Sequence, residues 1–486
     1  MRILFFDLDT LRPDHLGCYG YKRNTSENID RIAKDGVVFD NYYCPNAPCL
    51  PSRASLVTGE YGICNGVLGH GGTSADLRLE GENRRFRDTV SMASLFSKIK
   101  QAGFRTTSIS TFAERHSAWW FNSGLNELIN VGKCGVERAD EVEPYIMDWL
   151  DRNAQKDNWF LHINMWDAHT PYRTIDYPNH FENEPLPDNW INEDVLAYHR
   201  SIASPHGARE VAMWDDKPVK KYPKYLTKLE NLDEVKYFID MYDNGIKYMD
   251  DVIGRVLEKL EKMGLYNDDL CIIVTSDHGE NLGELGLYGE HATADYTTCR
   301  IPFIIKWKDC VKDYICKDFH DNVDLLPTIC DLLEQQKANH YDGISFYPTL
   351  KDKTSVDKGS VILTQCAHVC QRSAIFSHYL YVVTMHGGFH LFDKEMLFDL
   401  DKDIHEQHNI AQEHPELCAQ GAKLIFDWQN KYMAKAKIDV DPLWTVMREG
   451  GPLHAKGHKN EYVQRLIDTG REDQAEKILK VYKDFN

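Results

Sequence analysis

Chemistry in this chain gathers first around Cys49. It opens the stretch Cys49-Leu50-Pro51-Ser52-Arg53-Ala54-Ser55-Leu56-Val57-Thr58-Gly59, a proline-initiated apolar turn followed by a glycine that can end a helix. A side chain at the mouth of such a helix lies beside unpaired backbone N–H groups, which attract anions. Arg53 stands about one helical turn further on, and its planar fork suits a tetrahedral oxyanion better than a lysine would. The spacing predicts a nucleophile beside an anion hole. Taken alone, Cys49 would equally read as a small buried hydrophobe.

Three further groups of reactive residues follow apolar runs that read as buried parallel strands, where function gathers at the C-terminal ends. Residues 2–8 end in acidic and turn residues, with Asp9 just beyond. Residues 159–165 lead to Trp166-Asp167-Ala168-His169-Thr170-Pro171-Tyr172, and residues 270–274 lead to Thr275-Ser276-Asp277-His278-Gly279-Glu280. Asp277 offers a hard oxygen and His278 an imidazole, groups able to ligate a cation. Asp7 shares a strand face with Asp9 by the period of two, so spacing alone allows a second ligand there, but it is not assigned.

Helices must hold these strand ends in place. Met249, Val252, Ile253, Val256, Leu257 and Leu260 recur at i, i+3, i+4, i+7, i+8 and i+11, a core-facing helix ended by Gly264. Met92, Leu95, Phe96 and Ile99 predict another helix, closed by Gly103, and Ser26 caps a short one through Ile29, Ile32 and Ala33. Residues 177–228 are rich in Pro, Asn, Trp and charge without periodicity, an insertion near a pocket rim from which no ligand is named. A tail past residue 435 ends in a helix expected over 460–484, with apolar residues available for a neighbouring subunit or for covering the pocket.

The pattern C-x-P-S-R-x-x-L-x-T-G resembles the signature of the type I sulfatases of the alkaline phosphatase superfamily. Asp9 through Gly20, Thr275 through Glu280, Arg300 through Ile305, Asp324 through Ile329 and Leu397 through Asp403 resemble further segments of that family, extending the likeness over most of residues 1–435. The resemblance implies an α/β fold: a large domain over 1–350 with a mixed central sheet flanked by helices, then a small antiparallel-sheet subdomain over 359–435 and the 436–486 tail. It implies oxidation of Cys49 to formylglycine by a maturation enzyme, and one divalent cation held by Asp9, the modified Cys49, Asp277 and His278. Calcium is the family's usual ion, and a histidine at 278 leaves magnesium and manganese open.

By the same resemblance, His169 or His291 would protonate the leaving alcohol, and Arg115 and His116 stand where relatives carry a lysine and a histidine on the sulfate. His70 is assigned to the substrate pocket. Glu290 replaces a lysine that relatives use on the sulfate, and one carboxylate of the family's first acidic pair falls on Thr10. The implied activity is hydrolysis of a sulfate ester on a small saccharide or an aryl group. A phosphonate monoester hydrolase or phosphodiesterase of the superfamily is the alternative enzyme. A catalytically silent, metal-dependent carbohydrate-binding protein is the alternative of another class.

Composition narrows the partners. With 486 residues and a 42% apolar share the chain can bury a large core. A formal net charge of −19 opposes nucleic-acid binding, which relies on clustered Lys and Arg, and confines cationic groups to one pocket. No apolar run reaches membrane-spanning length. Thirteen cysteines and an N-terminus that runs directly into a strand predict a cytoplasmic enzyme with mostly free thiols. Cys366-Ala367-His368-Val369-Cys370 lacks a second ligand pair and is given no metal.

Overall fold

The computed structural model describes all residues except 79–87, 175–176, 267–268, 437 and 486. Strands named below are β1 Arg2–Leu8, β2 Val37–Phe39, β3 Asn46–Ala47, β4 Arg105–Ile109, β5 Glu127–Ile129, β6 Trp159–Met165, β7 Leu270–Thr275, β8 Tyr288–Glu290, β9 Phe303–Lys306, β10 Tyr314–Cys316, β11 Ser360–Gln365, β12 Cys370–Phe376, β13 Tyr379–His386 and β14 Glu395–Asp399. Eight of them form one mixed sheet in the order β10-β2-β9-β7-β1-β6-β4-β5.

β1 is flanked by parallel β6 and β7 and is buried along almost its whole length, which explains its unbroken apolar run. Antiparallel β9 closes the other side of β7. The parallel arrangement brings the C-terminal ends of β1, β6 and β7 to one edge, so Asp9, His169 and Asp277 emerge together. Helices cover both faces, and the 31-residue helix Leu232–Lys262 buries the periodic stripe from Met249 to Leu260.

The smaller sheet runs β14-β13-β12-β11-β3, antiparallel through its first four strands. Its last strand comes from the other end of the chain: Asn46 and Ala47 pair in parallel with Thr364 and Gln365. The segment that enters the Cys49 helix is thereby tied to both sheets.

Two helices expected as continuous are divided. Ser94 interrupts the run around Met92, capping Leu95–Gln101 through its side chain while ending Thr89–Ala93. Gly470, at φ +72°, separates Lys459–Asp468 from Glu472–Val481 where one helix over 460–484 was expected. The tail folds back on its own chain. Tyr462, Leu466, Ile478 and Tyr482 pack with Ala203 and Phe389, and Arg471 and Arg465 both bond Glu210. Much of the tail's apolar face, read from sequence as available for a neighbouring subunit or for covering the pocket, is therefore used within the chain. Among the described residues no helix is long and apolar enough to cross a membrane.

Candidate active site

The Cys49–Thr58 helix is buried throughout and ends at Gly59, whose φ of +67° is the left-handed conformation glycine adopts without strain. Cys49 stands at its first turn and Arg53 one turn inward, as the spacing requires. The arginine's partners differ from the sequence expectation. Its Nε and Nη2 donate to the two carboxylate oxygens of Asp7 at 2.7 and 2.8 Å. Its Nη1 donates to Asp9 at 3.0 Å and to Asp277 at 2.5 Å. Phe112 and Trp166 lie 4.9 and 5.4 Å from the guanidinium carbon. With these bonds made and the side chain 0% exposed, Arg53 binds the carboxylates in place of an open oxyanion.

Three carboxylates around one guanidinium carry excess negative charge. Burial opposes ionisation of Asp7 and Asp9, yet Arg53 holds both below the usual carboxylate range. Asp277 is pushed up to about 6 by burial and by the charge of Asp9. Cys49 is pushed well above the usual thiol range by burial, with Asp9 and Asp277 adding to the effect. An unmodified Cys49 is therefore a poor thiolate nucleophile in the protein alone.

Asp9, Cys49, Asp277 and His278 each place one ligating atom within 4.8 Å of the others. His278 Nδ1 donates to the Gly279 carbonyl at 2.9 Å, leaving Nε2 directed at Cys49 Sγ, 3.1 Å away. The donor set and the surplus negative charge fit one divalent cation. The loops bearing these residues are stitched together: Thr10 N donates to Asp277, and Leu11 N to Ser276 Oγ. Gly279 is required by close approach, since a Cβ there would lie 2.0 Å from the Thr297 carbonyl oxygen.

Histidines form the wall above this floor. His169, at the end of β6, donates from Nδ1 to the Thr170 carbonyl at 2.6 Å, and burial lowers its pKa to about 3. The His291 ring lies 4.0 Å from that of His278 and 5.4 Å from that of His169. Its Nδ1 is 3.4 Å from Glu280, and its Nε2 is 3.1 Å from Glu290. Glu280 is pushed well above the usual carboxylate range by burial and by the neighbouring Glu290. His70 Nδ1 meets His454 Nε2 at 3.2 Å, and the His116 ring is 5.1 Å from that of His70.

Arg115 is half-buried above Trp166, with carbonyl partners at 3.4 and 3.5 Å. These long bonds leave it better placed than Arg53 to meet an anion. Beside His70 and His116 opens a groove of about 670 Å³ lined also by Trp119 and Trp120.

The structure thus brings Asp9, Cys49, Asp277 and His278 into one cluster, with His169 and His291 beside it and His70, His116 and Arg115 further out. Sequence reasoning left out Asp7, Glu280, His206, His368 and His454. Period-two spacing carried a signal for Asp7, and Glu280 directly follows the Asp-His-Gly motif. Nothing local marks His206 or His454, which reach the pocket only through tertiary packing.

An α/β scaffold with metal-ligating groups and a helix-borne cysteine at its strand ends defines the class, and the chain belongs to the Sulfatase family, whose sequence profile matches residues 3–335. It is a sulfuric ester hydrolase. It is similar to an N-acetylglucosamine-6-O-sulfatase of Bacteroides thetaiotaomicron, 24% identical over 92% of this chain and 89% of that one. An arylsulfatase of Clostridium perfringens is 23% identical over 85% of this chain and 91% of its own. Among solved structures, a protein in complex with D-glucosamine-2-N,6-O-disulfate matches with a TM-score of 0.66 and 19% identity, covering 89% of this chain and 98% of that one. The phosphonate monoester hydrolase of Agrobacterium radiobacter matches with a TM-score of 0.66 and 18% identity, over 89% and 96%.

Proposed function

We propose that this sulfatase removes sulfate from a small sulfated saccharide, using formylglycine made from Cys49 by a maturation enzyme and one divalent cation, with calcium first among the candidates. The observation that carries the reading is the convergence of Cys49 with Asp9, Asp277 and His278 at the head of a buried helix. The relatives named for sulfated sugars favour a saccharide, and the groove beside Trp119 and Trp120 offers the aromatic surface a sugar ring needs.

A hydrated formylglycine at position 49 would supply a hydroxyl nucleophile toward sulfur and a second hydroxyl to assist release of sulfate. Asp9, Asp277 and His278 would hold the cation, which supplies positive charge for the sulfate oxygens. Arg53 fixes Asp7, Asp9 and Asp277 so that the ligands are preorganised. Arg115 adds positive charge on the substrate side. His291, held between Glu280 and Glu290, delivers a proton to the departing alcohol, while the unprotonated Nε2 of His169 accepts one.

Cys49→Ala tests the reading: hydrolysis of a sulfated monosaccharide is expected to vanish, and a wild-type rate would contradict it. His291→Gln is expected to slow a sugar sulfate about 10²–10⁴-fold but an aryl sulfate with a good leaving group far less; equal losses on both would remove the proton-donor role. The phosphonate hydrolase likeness is met by comparing turnover of sulfate ester, phosphate diester and phosphonate monoester, where the sulfate is expected to be fastest.

A further inference from the structure

Beyond His291 lies a second cluster that the proposed reaction does not use. His206 comes from the 177–228 insertion, Glu290 from the end of β8, and His368 from the turn between β11 and β12. Each places one ligating atom within 4.8 Å of the other two. Both histidines are almost fully buried, at 3% and 6% exposure.

None of the three is satisfied by the others. His206 Nδ1 lies 3.7 Å from one Glu290 oxygen and His368 Nε2 lies 3.6 Å from the other, too far for hydrogen bonds. The His206 Nδ1 that faces the carboxylate is buried without any hydrogen-bond partner. Two imidazoles turned toward one carboxylate, and held just short of it, leave the separation expected between ligands of a tetrahedral ion. With ligand distances of about 2.0–2.1 Å that separation is roughly 3.3 Å.

The frame is built and rigid. Tyr288 N donates to the His206 carbonyl at 2.8 Å, fixing the insertion to β8. Gln365 accepts from the backbone N–H of His368 at 3.1 Å and donates to the His291 carbonyl at 3.0 Å, joining this cluster to the active site. The ring of His454, from the tail, stacks on His368 with centroids 4.2 Å apart and planes within 15°. Burial also keeps His206 and His368 in the neutral form that ligates metals.

We propose that His206, Glu290 and His368 form a second metal site, a two-histidine, one-carboxylate centre for a zinc-type divalent ion, beside the active-site His291. Three such ligands leave one coordination position open for water or a substrate oxygen. The ion would neutralise Glu290, whose charge otherwise opposes an anionic ester nearby. The ligand types favour zinc over calcium or magnesium, which prefer all-oxygen shells. This goes beyond the sulfatase reading and stands without it.

The test is zinc stoichiometry by elemental mass spectrometry on the full-length protein after loading with Zn²⁺ and gel filtration. Wild type is expected to retain one equivalent more than the double variant His206→Ala/His368→Ala, while Asp277→Asn, altered at the first site, keeps that equivalent. Equal zinc in wild type and double variant would overturn the site. Should the double variant fail to fold, anomalous diffraction at the zinc edge from wild-type crystals decides: a peak between the three side chains supports the site, and its absence overturns it.

Discussion

The floor and the wall of this pocket solve opposite electrostatic problems. On the floor, Asp7, Asp9 and Asp277 are buried around Arg53, and nearly every donor of that guanidinium is used. On the wall, His70, His116, His206 and His368 are held neutral by burial, each with a buried ring nitrogen lacking a hydrogen-bond partner. The floor has charge that needs a counter-ion; the wall has lone pairs and N–H groups that need a ligand. Removing Arg53 from the floor should therefore cost stability, whereas removing a wall residue should mainly change proton and ligand binding.

The largest effect is expected from Arg53→Ala, which strands three carboxylates in the interior. Equilibrium denaturation should show a loss of about 3–5 kcal/mol, and Arg53→Lys should fail to restore it because one ammonium cannot bond Asp7 in two places. A variant as stable as wild type would break the contrast.

Next comes removal of the cation. Chelation should lower the thermal midpoint of wild type, by the equivalent of about 2.7 kcal/mol relative to protein in cation at 100-fold its dissociation constant. Asp277→Asn should lose most of this response, as measured by thermal melts with and without chelator.

The smallest effect sharpens the comparison through its sign. Asp277 is raised to about 6 in the folded chain, so the native state holds an extra proton above the carboxyl's unfolded pKa, and stability falls as pH rises from about 4 to 6. His116 is lowered to about 3 by burial and by Arg115, so the unfolded state holds the extra proton and stability falls as pH drops below about 6.5. In chelated protein, the slope of stability against pH over that window should rise in Asp277→Asn and fall in His116→Gln, each by up to about 1.4 kcal/mol per pH unit. Denaturant titrations across the window measure both slopes.

Much of the architecture was legible because β1, β6 and β7 are continuous apolar runs with polar chemistry at their ends. Parallel packing then places Asp9, His169 and Asp277 on one edge regardless of the intervening length. Other features depended on contacts that no local pattern carries. Spacing placed Arg53 one turn from Cys49 but not against Asp7, whose own strand position gave a usable signal. The pairing of β3 with β11 joins residues more than 300 positions apart. His206 lies in a stretch without periodicity, His368 in a motif whose spacing argued against a metal, and His454 in a tail whose folding back brings it to the pocket. The Ser94 break in the helix near Met92 reflects a capping serine competing with apolar periodicity.

The central claim is that the nucleophile is an aldehyde hydrate derived from Cys49, and the mass of the peptide spanning that residue tests it most directly, in a preparation from the native host that hydrolyses a sulfate ester. The account expects the mass of an aldehyde in place of the thiol. An unmodified cysteine throughout such an active preparation would contradict it.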